Sequence, residues 1–294
     1  YYLVALLSFT LIPFLANNFT SFQNEVHYYD RILSLQESPY ITLILFLLFL
    51  PNLALALKPA VVGLSQSWSV GVEEQFYILW PHIINKISNK KILFILFFVI
   101  CLIDVLIKSL LPLNLKIVQL ISSIIGLIPI HFMAVGGIGA LLLYYFKTKT
   151  ENFLSNKYIF FFNTILLFII LSIDFEIPFK DLILAFVILL EILFIIQDKF
   201  KINIRSKYLE KIGDISYGVY MYHPIVMYVC FSFFNTTMPI ENPIVYTFAV
   251  YSSIIILTLV ISKLSFKYYE SKFILLKNKK FTVIKSGKAI SNEN

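Results

Sequence analysis

Apolar residues in this chain do not alternate with polar ones. They run together in blocks, at roughly 2–16, 40–57, 68–87, 92–111, 120–146, 158–174, 179–197, 215–234 and 243–262, joined by short polar segments. A helix needs about 20 apolar residues to cross a bilayer, and fewer where the membrane is locally thinned. The pattern therefore predicts an all-α, polytopic transmembrane helix bundle of about eight or nine spans. Interruptions are expected at Pro51, Pro81, Pro129 and Pro224, because proline removes an amide donor inside a helix. No recurring segment of about ten alternating residues marks a membrane barrel. No fixed-period repeat divides the chain, so one integral-membrane domain is expected over 1–270, followed by a basic cytoplasmic tail at 271–294.

Composition sharpens that expectation. Of 294 residues, 59% are hydrophobic and only 14% charged, against roughly 25% charged in a soluble domain. A soluble fold with this composition would expose large apolar patches, whereas lipid accepts them. The net charge of +7 is spread between apolar runs and along the tail, not gathered into a stripe, which argues against nucleic acid. Segments 86–91, 147–157 and 199–211 and the tail are Lys-rich, while 174–180 and 235–242 carry acids and almost no Lys. The positive-inside rule then puts the basic loops and the C-terminus in the cytoplasm. The first third is less regular: 17–39 reads as an outside loop, so either 40–67 is re-entrant or 68–87 does not span completely.

Isolated polar residues add little chemistry by themselves. Cys101 and Cys230 sit inside apolar runs and read as packing residues. His27, His82 and His131 have no partner readable from spacing, and no metal-ligand pattern occurs, so no metal is expected. Asp104 and Glu191 lie within apolar runs near predicted span ends, where snorkelling or local pairing accounts for them.

One stretch differs. In Ser67-Trp-Ser-Val-Gly-Val-Glu-Glu-Gln-Phe-Tyr-Ile-Leu-Trp-Pro81, two adjacent glutamates open a run that then turns apolar. On a helix, Ser69, Glu73, Tyr77 and Trp80 share a face, while Glu74 points about 100° away, so the two carboxylates have different surroundings. A carboxylate at membrane depth costs roughly 2.5–3.5 kcal/mol on insertion scales. Either both glutamates are solvated at the interface, or they line a polar cavity.

This stretch resembles the signature of the membrane acyltransferase-3 family, whose bacterial members O-acylate, usually O-acetylate, surface sugars. Three further segments resemble family motifs in the same order: Ile130-His-Phe-Met-Ala-Val-Gly-Gly-Ile-Gly-Ala140; Leu209-Glu-Lys-Ile-Gly-Asp-Ile-Ser-Tyr-Gly-Val-Tyr-Met-Tyr-His-Pro224; and Ser265-Phe-Lys-Tyr-Tyr-Glu-Ser-Lys-Phe273. In the third of these, Lys272 replaces a usual proline. Tyr1 and Tyr2 resemble the close of an Arg-rich motif that, in the family, follows a histidine-bearing first helix. The resemblance therefore implies a chain that starts partway through a longer protein, with its first two helices missing.

Acyl transfer to a hydroxyl needs a base, donors for the oxyanion and exclusion of water. The resemblance implies Glu73 and Glu74 as catalytic candidates; His223 is either a third or an interfacial histidine beside a kinking proline, on a helix that Asp214 can cap. Trp68, Ser69, Tyr77, Ser216, Tyr217 and Tyr220 are the substrate-binding candidates. It implies no tightly bound cofactor; acetyl-CoA or another acyl-CoA would be the donor, with basic residues such as Lys86, Lys90 and Lys91 available to its phosphates. The acceptor would be a surface polysaccharide or lipid-linked sugar, at a bacterial cytoplasmic membrane. A transporter of polysaccharide or lipid precursors, or an inactive membrane subunit, are the competing readings. No paired broken helices in two related halves favour transport.

Overall fold

The computed structural model describes residues 1–23, 26–37, 39–110, 115–127, 129–173, 179–197, 206–237 and 242–280. Among these the secondary structure is entirely helical. The helices are α1 (Tyr2–Asn18), α2 (Thr20–Gln23), α3 (Val26–Glu37), α4 (Pro39–Leu47), α5 (Pro51–Leu57), α6 (Ser67–Lys86), α7 (Lys90–Leu110) and α8 (Lys116–Leu127). They continue as α9 (Ile130–Tyr145), α10 (Lys147–Leu154), α11 (Lys157–Ser172), α12 (Lys180–Gln197), α13 (Lys207–Thr237), α14 (Pro243–Ser265) and α15 (Ser271–Lys280). Phe266–Glu270, between the last two, is a π-helical turn.

The prolines act in two ways. Pro51 begins α5, and Pro129 separates α8 from α9, so the apolar runs 40–57 and 120–146 are each two helices, not one. A proline lacks the amide the helix needs and pushes its predecessor out of the α region. Pro81 and Pro224, by contrast, lie inside uninterrupted helices. Between α4 and α5, Phe49 takes φ +57°, a left-handed conformation that a bulky side chain rarely adopts.

Pro243–Leu276, 34 residues, is the one helical stretch among the described residues that is by itself long and apolar enough to cross a bilayer. The α9–α10 pair, bent by 108°, would count as a second if taken as one span. The apolar helices α1 and α11 have 17 and 16 residues.

The chain divides into two compact units. The first comprises Tyr1–Leu48, Leu57–Ser67 and Arg205–Asn294, and the second Phe49–Ala56 and Trp68–Ile204. In the first, α13 and α14 pack lengthwise through Val226, Cys230, Val250 and Ile254. Asn242 starts α14 by accepting bonds from the amides of Ile244 and Val245, with Pro243 preset for the first turn. In the second, α6, α7 and α9 share a core of Trp80, Leu93, Phe97, Cys101, Ala134 and Val135. Both cysteines are thus buried in these cores, and the Cys101 thiol also donates to the His131 carbonyl at 3.9 Å.

Candidate functional site

The signature segment is helical throughout, and its residues separate into two groups. One group holds the break between α4 and α5. The Gln75 amide donates to the Phe49 carbonyl and to Asn52 Oδ1, both at 2.9 Å, and Asn52 donates back to Gln75 Oε1 at 3.3 Å. Asn52 is buried, so these bonds satisfy a polar group that would otherwise be costly. A β-carbon on Gly71 would stand 2.5 Å from Pro51 Cδ and 3.1 Å from the Phe49 carbonyl oxygen. Gly71 therefore lets the left-handed turn lie directly on α6. Further along, Trp80 stacks on Phe97 with ring centroids 5.0 Å apart and planes 12° from parallel, and meets Phe76 at 4.6 Å.

The other group lies nearer the surface. Trp68, Glu73 and Tyr77 are exposed on the protein, while Ser69 and Glu74 are half-buried. The two carboxylates have different surroundings, as the 100° turn between neighbours requires. Trp80 departs from the expected row: it shares a helical face with Ser69, Glu73 and Tyr77 yet turns into the core, because α7 closes over that end of α6. Glu73 lies on an open face, not in an enclosed pocket.

The second group of candidates lies on α13, in the other unit. This helix begins at Lys207, with the Ser206 hydroxyl accepting from the Tyr208 amide. Asp214 therefore does not cap it and instead sits exposed two turns in; the polar stretch before 215 continues the helix. His223 Nδ1 lies 2.8 Å from the Tyr220 carbonyl and 3.3 Å from that of Val219. Pro224 has no amide to give Tyr220, four residues back, and the histidine supplies the missing donor. Carbonyls only accept, so Nδ1 is the donor in these contacts.

The neighbouring polar groups on α13 are mostly committed to the framework. Ser216 donates to its own helix at the Gly213 carbonyl, 2.8 Å away. Tyr220 donates to the Gln66 carbonyl at 2.7 Å, and the Gln66 amide donates to the Met221 carbonyl at 2.8 Å. These bonds pin the loop before α6 onto α13, where Gly63 at φ +78° approaches Ile225. Tyr217 is exposed. Tyr222 donates to Ser265, 2.9 Å away, because Ser265 spends its own proton on Glu270 at 2.8 Å.

Several of these partners escaped the reading of the sequence. Gln75 and Gln66 are amides at the edge of an apolar run, and Glu270 lies in a segment already singled out, yet only the fold supplies their contacts. Glu191 is locally paired: Asn163 and Thr164 of α11 donate to its two oxygens at 2.7 and 2.6 Å. The side chains of Asp104 and His27 lie outside the described residues. His82 is exposed, and His131 is buried with its ring 4.1 Å from that of Phe132. No group of three metal-binding side chains occurs among the described residues.

A sequence model described as an acyltransferase domain matches residues 27–263, which takes in the α6 signature, the α9 glycines and α13. The chain belongs to the acyltransferase-3 family. Membership makes it an acyltransferase of a membrane-associated family. No curated protein and no solved structure gives a match.

Proposed function

We propose that this acyltransferase is a multi-span membrane protein that moves an acyl group, acetyl by preference, from an acyl-CoA to a sugar hydroxyl. The acceptor is a cell-surface polysaccharide or lipid-linked sugar, and the setting is a bacterial cytoplasmic membrane crossed about eight or nine times. The basic loops and the C-terminus face the cytoplasm.

The observation that carries this reading is the division of labour on α6. Gly71, Gln75 and Trp80 are taken up by packing, whereas Glu73, Tyr77 and Trp68 are left exposed beside half-buried Glu74. Framework needs explain the first three and not the carboxylates. In the reaction, the acceptor oxygen forms a bond to the acyl carbon, the thioester C–S bond breaks, and the hydroxyl proton passes to a base while the thiolate leaves. Glu73 or Glu74 supplies that base, and Tyr77, Trp68 and Ser69 shape the acceptor side. His223 Nε2, the ring nitrogen not engaged with the Tyr220 carbonyl, is the other group able to take the proton.

Loss of a general base lowers turnover by about 10²- to 10⁴-fold. Glu73→Gln and Glu74→Gln in the full-length protein, at normal membrane levels, should place the loss on at least one of the two. Full activity in both variants would overturn the assignment, and a loss only in His223→Gln would move the base to α13.

A further inference from the structure

The second unit contains a cleft that the proposed reaction does not use. It has a volume of about 730 Å³ and lies between the C-terminal half of α6, α7 and α9. Its walls are apolar and aromatic: Phe76 and Trp80 from α6, Phe97 from α7, and Phe132, Gly136 and Tyr145 from α9. Neighbouring glycines do different things here. A β-carbon on Gly137 would stand 2.6 Å from the Phe97 ring, so that glycine lets α9 pack on α7. A β-carbon on Gly136 would meet nothing within 4 Å, so that position opens onto the cleft.

One end of the cleft is basic. The Lys90 ammonium stands 5.3 Å from the Tyr145 ring, which is part of the wall, and 5.6 Å from Phe146. Phe94 contacts Phe146 and fixes the start of α7 against the end of α9. Lys86 ends α6, Lys91 follows Lys90, and Lys147 and Lys149 open α10. All five lysines are exposed; the one acid on α10, Glu151, is half-buried further along it. An apolar cleft with a cationic rim calls for an amphiphile whose alkyl chain and anion are one molecule. Soluble phosphate would satisfy the lysines and leave the cleft empty.

We propose that this cleft binds an acyl chain of an anionic membrane phospholipid, with its phosphate held by Lys90 and the lysines around it. The volume lies within the usual range of small-molecule sites, about 300–1,000 Å³. Basic pockets between helices on the cytoplasmic side are suited to anionic headgroups. The proposal rests on the multi-span membrane reading but not on the assignment of the catalytic base.

The chain has two tryptophans, so Trp68→Phe leaves Trp80, a wall of the cleft, as the only fluorescent reporter. The 294-residue chain itself goes into phosphatidylcholine vesicles containing increasing phosphatidylglycerol with brominated chains. Specific binding predicts quenching that saturates at a low mole fraction and exceeds that from brominated phosphatidylcholine at the same fraction. Lys90→Gln should raise the half-saturating fraction about fivefold, and Gly136→Leu should abolish the excess. Added salt should weaken the preference in the unaltered cleft, which keeps the test independent of how Gly136→Leu folds. Equal quenching by the two lipids, rising in proportion to mole fraction, would mean ordinary boundary lipid and overturn the proposal. Loss of the excess on adding inorganic phosphate or coenzyme A would give the lysines to a soluble ligand and also overturn it. A chain that stays out of the vesicles would sink the membrane reading as well, whereas insertion with equal quenching sinks the proposal alone.

Discussion

Helices α6 and α13 each carry a polar motif within an apolar run, yet they use their polar groups in opposite ways. On α13 these groups turn inward onto backbone: His223 onto Tyr220, Ser216 onto Gly213 and Tyr220 onto Gln66. On α6 one amide, Gln75, does the holding, and the carboxylates beside it stay out of the framework. A motif is thus a mixture of residues taken up by the framework and residues left outside it, and hydrogen-bond geometry separates the two. A histidine beside a proline, which reads from sequence as a catalytic candidate, first has to replace the donor that the proline lacks.

The sharpest way to break this comparison is at Gly71. Gly71→Leu puts side-chain atoms where Pro51 and the Phe49 carbonyl already stand, and overpacking costs roughly 1–3 kcal/mol or more. Lower membrane levels and a lower melting temperature are expected, with loss of activity in proportion. A fully stable Gly71→Leu would mean that the 49–52 turn is not held against α6.

Gln75→Ala comes next. It removes the bonds that Gln75 makes to buried Asn52 and the Phe49 carbonyl, each worth about 0.5–1.5 kcal/mol. Thermal unfolding in detergent should show this loss, whereas Glu73→Gln should leave the melting temperature unchanged. A Glu73→Gln variant as destabilised as Gln75→Ala would put the carboxylate in the framework and erase the contrast within α6.

For α13 the test is a double-mutant cycle. His223→Ala should cost about 1 kcal/mol by removing the His223 bond to the Tyr220 carbonyl. In a Pro224→Ala background the restored amide bonds that carbonyl, so the same substitution should cost much less. Equal costs in both backgrounds would show that His223 is not compensating for Pro224. The smallest effect is expected at Ser216, whose exposed hydroxyl bonds only its own helix; Ser216→Ala should stay within about 0.5 kcal/mol of the parent.

The comparison also marks how far the residues alone could be read. The helical class was legible because long apolar runs leave the backbone no other way to pair its polar groups. Helix ends were less so. Pro51 and Pro129 break helices where Pro81 and Pro224 do not, and the same residue type cannot announce which. The start of α13 differs from its apolar run because a polar stretch, 207–214, continues the helix before that run begins. For Glu191 the residues alone leave snorkelling or pairing open; the partners Asn163 and Thr164 lie on the preceding helix and need the packing of α11 on α12.

What the sequence by itself determined was the all-helical class, the acyltransferase family and the identity of the signature helix. Each of these rests on local pattern, a run of apolar residues or an ordered string of side chains. Only the tertiary structure decided that Gly71 and Gln75 hold a left-handed turn, that Tyr220 clasps the loop before α6, and that Trp80 walls a cleft with a basic rim. Those facts join residues about 20 to more than 150 positions apart, and such contacts arise only where helices meet, which no local pattern encodes.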